Sequence, residues 1–352
     1  MSVQVFTENR FSDIGRLKGW LPVDAVIRDG RPAICWLDMR DVALSEPFFF
    51  QTVERVRREQ RNIGERITDY DVLIQSEKLL VGLNPSAFIF HSSRSGSTVV
   101  SNALKVLERV LVFSEPFVLD KLIGRFFTDV KHDKRRELVY GISLRAAVNA
   151  LGQPRYGNER AYFIKFSSVS TAQISRIKRI WPHVPSVFIY RDPIEVIVSN
   201  LNDPPHWMDR KADARITAQL TGVGEDEVAE LSREEFCARA IGGFYRSALS
   251  AGETLRLLNY EDLSVDSIVG LIEAFGLRLS ASEHQPLTEI IRYYAKDAGS
   301  KQEFRKDTER KRQQASKLVR EMAERWAINA YSQLEQKRIE QQLQNKKERG
   351  NE

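Results

Sequence analysis

Six consecutive residues, Ser93-Arg94-Ser95-Gly96-Ser97-Thr98, gather four hydroxyls, one permanent cation and one glycine. That mixture suits an oxyanion. Hydroxyls donate to it, the guanidinium adds charge, and glycine lets backbone N–H groups come close. The apolar run Ala87-Phe88-Ile89-Phe90 before it predicts a buried strand, and Val99 to Leu104 after it predict a helix. Strand, small-residue turn and helix build an anion cradle, because the first amides of a helix are unpaired and its dipole favours negative charge. The string also fits a Ser-capped helix with Arg94 solvated. A nucleotide-hydrolysing P-loop places a Lys directly after the glycine. Here Ser97 stands there, and the positive charge precedes the glycine.

Two further segments carry related chemistry. The run Ser186 to Tyr190 predicts a strand that ends in Arg191-Asp192-Pro193. Proline suits the first turn of a helix, and Ser199 lies about two turns on. Arg191 and Ser199 together could hold a phosphate. Equally, Asp192 could cap the helix while Arg191 makes a surface ion pair. The third segment, Thr254 to Leu258, reads as a strand ending in Asn259-Tyr260-Glu261-Asp262-Leu263. Glu261 and Asp262 read as structural residues at the start of the following helix.

In this order the three segments resemble the sulfotransferase family that uses 3′-phosphoadenosine 5′-phosphosulfate, in its bacterial and Golgi-type branch. The likeness covers roughly residues 86 to 306. It implies an α/β fold, a P-loop type parallel sheet flanked by helices. It also implies that Ser93, Arg94, Ser95, Gly96, Ser97 and Thr98 hold the phosphosulfate, and that Arg191 and Ser199 hold the 3′-phosphate. The donor leaves as 3′-phosphoadenosine 5′-phosphate, and no metal is required. A late family segment is echoed in shortened form at Lys296 to Phe304, without its Trp and first Gly. That echo implies that Lys301 contacts the 3′-phosphate, though it fits equally one more charge on a basic helix.

Sulfonyl transfer needs a base for the acceptor hydroxyl and positive charge on the departing phosphate. Glu115 follows the strand Val110 to Phe113, and strand C-terminal ends line the ligand crevice of an open parallel sheet. The resemblance likewise implies a Glu at a comparable position. Ser114-Glu115-Pro116 is also a good helix start, and Ser45-Glu46-Pro47-Phe48 repeats it with no obvious chemistry. Lys165 ends the apolar strand Ala161 to Phe166, where an ammonium must meet an anion or snorkel to the sheet edge. It is assigned to the sulfonyl group or the bridging oxygen, beside Arg94. His91 precedes the loop, where it rivals Glu115 as the base or simply caps the strand. His206 and Trp207 fall in a lid over about 202–235 and are assigned to the acceptor.

These residues require elements to position them. Val23 to Leu37 reads as a hairpin about Asp29-Gly30, followed by a helix from Phe48 to Arg58, giving an accessory N-terminal unit over residues 1–85. From residue 87 strands (87–91, 110–114, 161–166, 186–190, 254–258) alternate with helices (97–108, 116–127, 135–151, 171–181, 193–201), a pattern of parallel strands with crossover helices. Residues 86–306 form the α/β domain. Residues 307–352 form a charged helical extension that is solvated beyond about 336.

Composition narrows the function classes. At 42% hydrophobic residues the chain supports a full core and is not disordered. Cys35 and Cys237 are isolated and fit neither a disulfide framework nor a zinc site. No apolar run is long enough to cross a bilayer or to act as a signal peptide. The expectation is a cytoplasmic enzyme with no membrane or nucleic-acid partner. The net charge of +5 suits a polyanionic donor. The acceptor expected is the hydroxyl of a small molecule. Homo-oligomers would form through the C-terminal helix or the N-terminal unit. Two other classes stay open: a phosphotransferase that uses nucleotides, and a nucleotide-binding module without turnover.

Overall fold

The Asp29-Gly30 turn forms as expected. β1 (Trp20–Arg28) and β2 (Arg31–Asp38) pair antiparallel, and both turn residues hold positive φ, 49° and 73°. Two-residue hairpins need that conformation, which Asp and Gly tolerate. A third strand, β3 (Glu65–Asp69), pairs with β2 and completes this sheet. It was not expected, because Glu65, Arg66 and Asp69 mask its period. α1 (Phe49–Glu59) and α2 (Tyr70–Ser76) complete this part. The computed structural model describes residues 15–59, 63–128, 134–209, 214–292 and 308–349.

The remaining strands are β4 (Ala87–His91), β5 (Val110–Ser114), β6 (Ala161–Lys165), β7 (Ser186–Tyr190) and β8 (Leu255–Asn259). They form one parallel sheet in the order β5-β6-β4-β7-β8. β4 to β7 are buried along their whole length, which is why they read as continuous apolar runs. Phe88 and Phe90 face a core shared with Trp36 and Leu37 of β2. Ala87 and Ile89 face the other core, with Val99, Val100 and Leu104.

The helices, in chain order, are α3 (Ser97–Lys105), α4 (Phe117–Thr128), α5 (Lys134–Leu151), α6 (Ile174–Ile180), α7 (Pro193–Asn202), α8 (Ala214–Thr221), α9 (Arg233–Leu249), α10 (Val265–Ala274), α11 (Ala281–Arg292), α12 (Thr308–Gln314), α13 (Lys317–Ala323) and α14 (Asn329–Arg349). This is an α/β architecture with helices on both faces. The helix expected over 171–181 opens as a 3-10 turn, Val169–Gln173, before α6. Within the segment 202–235, α8 packs against α4 and α9.

The C-terminal segment departs most from expectation. It docks on the sheet well past residue 336. The Gln341 side chain accepts from the Leu257 amide at 3.1 Å and donates to the Leu255 carbonyl at 2.8 Å. β8 is an edge strand, and this amide satisfies backbone groups that would otherwise be open. Glu335 accepts from Tyr190 Oη and from Asn259 Nδ2, so α14 also touches the ends of β7 and β8. Up to Leu334 the segment packs an apolar stripe on the core, with Met322, Trp326, Ile328 and Tyr331 against it, and only beyond that stripe do hydrogen bonds from a polar sequence take over. Among the described residues no helix is long and apolar enough to cross a membrane.

Candidate functional site

His91, Ser114, Lys165, Tyr190 and Asn259 are the last residues of the five parallel strands. Their loops therefore gather on one edge, where ligands of open α/β sheets bind. The loop after the central strand, β4, is tightly turned. Ser93, Arg94 and Gly96 hold φ of 68°, 48° and 80°. A Cβ on Gly96 would lie 2.5 Å from Leu263 Cδ1 and 3.0 Å from Tyr260 Cδ2. The segment after β8 thus presses on the loop and excludes any side chain there. Ser95 Oγ donates to the Ile189 carbonyl at 2.9 Å, and Ser93 Oγ donates to Asn200 Oδ1 at 3.0 Å. These bonds tie the loop to β7 and α7. Ser97 and Thr98 open α3, and their hydroxyls have no protein partner among the described residues. Arg94 pairs with the Asp203 carboxylate at 2.7 Å, and the Asp203 side chain is 77% exposed.

Glu115, Lys165 and His91 meet at the ends of three neighbouring strands. Lys165 is wholly buried in β6, an interior strand, so it does not snorkel to an edge. Its ammonium contacts Glu115 Oε1. His91 Nε2 lies 3.2 Å from the same oxygen. Oε2 of Glu115 has no partner among the described residues, and the side chain is 23% exposed. Glu115 itself sits at φ 53° after the last residue of β5, and α4 begins only at Phe117. It is therefore not the first residue of a helix. Burial raises its pKa, but Lys165 and His91 outweigh burial and lower it to about 2. His91 is driven below its ordinary 6.5 by burial and then by the Lys165 ammonium.

A second cluster lies at the end of β7. Glu195 and Ser199 are spaced by four and share one face of α7, and Arg191 stands just before its cap Asp192. Arg191 is buried, pairs with Glu195 at 2.6 Å and stacks 3.9 Å over the Tyr260 ring. It is not a surface pair. Asp192 accepts from the Ile194 and Glu195 amides and caps α7 as its sequence allows. The C-terminal segment adds two cations. Lys311 Nζ donates to Ser199 Oγ at 3.1 Å, and Arg312 pairs with Glu195 at 2.8 Å and Asp192 at 3.3 Å.

Two more titratable groups border the site. Asp120 Oδ1 accepts from Ser167 Oγ at 2.6 Å and Ser170 Oγ at 3.0 Å. Burial raises its pKa to about 7 against the pull of those hydroxyls. Lys105 is lowered to about 8 by burial and then by Lys165, and it donates to the Glu46 and Pro47 carbonyls. That corner carries Phe48, whose ring lies 4.8 Å from Lys165 Nζ. Trp207 packs its ring against Phe236 and Phe244, and His206 beside it is exposed. Lys301 lies outside the described residues. Among the described residues no cluster of three His, Cys, Asp or Glu side chains is placed to hold a metal ion.

Asp120 and Lys311 escaped sequence reasoning, whereas His91, at the end of the strand that feeds the loop, is legible there as a rival base or a strand cap. Asp120 sits one turn into a helix after such a strand. Lys311 carried no signal, because only the tertiary path of α12 brings it to Ser199.

No family model matches the chain, and no curated protein matches it. Among solved structures, a sulfotransferase from Alicyclobacillus acidocaldarius is similar at 12% identity and TM-score 0.33, over 59% of this chain and 92% of that one. The sulfotransferase domain of the Synechococcus PCC 7002 olefin synthase is similar at 15% identity and TM-score 0.36, over 73% and 95%. At these scores neither likeness bears on what the chain does.

Proposed function

We propose that the chain is an O-sulfotransferase that moves a sulfonyl group from 3′-phosphoadenosine 5′-phosphosulfate to the hydroxyl of a small molecule. One observation carries the reading. Among the described residues, a carboxylate with one oxygen open, Glu115 Oε2, stands beside a glycine loop whose Ser97 and Thr98 hydroxyls have no partner. The donor has two anionic ends on one ribose, and the chain offers two oxyanion sites at the ends of adjacent strands. One is the loop after β4, and the other is the Arg191–Ser199–Lys311 cluster after β7. Strand neighbours lie about 4.8 Å apart, so both sites fall within one small molecule. Arg94 borders the first site, and the Asp203 carboxylate that it pairs with is solvent-facing, so a bound oxyanion can take that carboxylate's place.

The donor, when bound, supplies an electrophilic sulfur on a phosphate leaving group. Glu115 stays ionised at neutral pH and receives the acceptor proton on Oε2. Its low pKa makes it a weak base, but the hydroxyl becomes acidic as its oxygen bonds to sulfur, so a weak base suffices. Lys165 fixes Oε1 and supplies buried positive charge beside the reacting group. The α3 amides and the loop hydroxyls stabilise charge on the leaving phosphate. His206, exposed next to the anchored Trp207, would face the acceptor, and Lys301 would complete the donor site.

The test is incubation of the full chain with the donor and a panel of phenols, alcohols and monosaccharides. Release of 3′-phosphoadenosine 5′-phosphate, matched by a sulfated product, is expected. No release, with no binding of that nucleotide, contradicts the reading.

A further inference from the structure

The imidazole of His91 touches both halves of the site. It is buried, and its Nδ1 accepts the Ser93 backbone N–H at 3.1 Å. That amide belongs to the left-handed turn that opens the loop. Burial and Lys165 keep the ring neutral near pH 7, so a ring that accepts at Nδ1 carries its single proton on Nε2. Nε2–H then faces Glu115 Oε1 at 3.2 Å. The contact is oblique, and Nε2 makes no aligned hydrogen bond among the described residues. Catalytic contacts are often loose before substrate binds and tighten afterwards. The charged groups acting on the ring are Glu115 from the end of β5 and Lys165 from β6. The Phe166 backbone faces it without charge, and Thr171 Oγ1 donates to the His91 carbonyl at 3.1 Å.

We propose that His91 is a positioning residue that couples the donor loop to the proton acceptor. One imidazole sets the turn at Ser93 through Nδ1 and the orientation of the Glu115 carboxylate through Nε2–H. Donor seated on the loop and a correctly aimed Oε2 are then linked states. This inference rests on the reading of Glu115 as the group that receives the acceptor proton.

The two ring nitrogens can be tested separately. His91→Asn keeps an acceptor near the Nδ1 position and removes the group facing Glu115. His91→Gln does the reverse. His91→Asn is expected to bind 3′-phosphoadenosine 5′-phosphate within about twofold of the parent and to lose about 10²-fold in kcat, as for a misplaced reacting group. The acid limb of its kcat–pH profile should move up. His91→Gln should weaken nucleotide binding about tenfold and keep the parent acid limb. Parent kcat, affinity and pH profile in both variants would overturn the proposal. Selective ¹⁵N-histidine labelling of the unmodified chain reads the tautomer even if a variant fails to fold. Protonated Nε2 with bare Nδ1 supports the coupling, and the opposite tautomer overturns it. Absence of nucleotide binding in the unmodified chain would instead overturn the proposed function.

Discussion

Lys165 and Glu115 are joined twice, once through backbone and once through side chains. The Glu115 amide donates to the Lys165 carbonyl at 2.7 Å, and the Lys165 ammonium contacts Glu115 Oε1. The backbone bond holds Glu115 at its left-handed φ of 53°. Such a conformation costs about 1–3 kcal/mol and persists only where surroundings over-determine it. The side-chain bond decides which oxygen is left open. A buried lysine thereby orients a carboxylate at the mouth of the sheet.

Removing one partner should therefore do two separable kinds of harm. Glu115→Gln leaves Lys165 buried and uncompensated, and breaking a buried pair costs about 3–5 kcal/mol. It should also lower kcat by about 10²-fold or more, the contribution of a general base. The double variant Glu115→Gln/Lys165→Met should recover much of the stability and none of the activity. Denaturant unfolding and turnover assays read the two effects. Equal losses of stability in the single and double variants would contradict the pairing.

Asp120 predicts a pH slope in stability. Its pKa is raised from 3.8 to about 7, so the folded state favours the protonated acid. Stability falls as pH rises from about 4 to about 7 and then levels off. Asp120→Asn mimics the protonated form and keeps the oxygen that Ser167 and Ser170 bind. Between pH 5 and pH 8 its Tm should drop less than that of the parent. Parallel Tm–pH curves would contradict the assignment.

Lys311 should discriminate donors by their 3′-phosphate. A charge-assisted hydrogen bond is worth about 1.5–3 kcal/mol. Lys311→Ala should therefore weaken 3′-phosphoadenosine 5′-phosphate by about tenfold or more, while affinity for adenosine 5′-phosphosulfate, which lacks that phosphate, stays as in the parent. Equal effects on both ligands would place Lys311 elsewhere in function.

Gly96→Ala should fail at the loop itself. The positive φ and the 2.5 Å approach to Leu263 leave no room for a methyl group. A left-handed non-glycine costs about 1–2 kcal/mol, and overpacking about 1–3 more. Calorimetry should show lost nucleotide binding and a lower Tm. Unchanged binding would mean that the loop does not cradle the ligand.

Much of this arrangement was legible in the sequence because it depends on local rules. Apolar runs between turns marked β4 to β7 closely, and Asp29-Gly30 marked the hairpin. The glycine loop was visible for the same reason, as a strand, small residues and a helix in succession. Repeated strings were less readable. Ser45-Glu46-Pro47-Phe48 and Ser114-Glu115-Pro116-Phe117 are alike, yet Glu46 bonds Thr52 and Arg55 at the head of α1 while Glu115 meets His91 and Lys165. Only the neighbouring strands distinguish them. Arg94 illustrates the same limit, since its partner Asp203 follows from how α7 packs. The role of α14 was hidden too, because Gln341 and Glu335 act by hydrogen bonds to the sheet edge.

The most direct measurement is calorimetric titration of the full chain with 3′-phosphoadenosine 5′-phosphate, set against adenosine 5′-phosphate and against ATP with magnesium. The account predicts that the bisphosphorylated nucleotide binds at least about tenfold more tightly than either comparator, since only it engages both the loop after β4 and the Ser199–Lys311 site. Tighter binding of ATP with magnesium, or no binding of the bisphosphate, would contradict it.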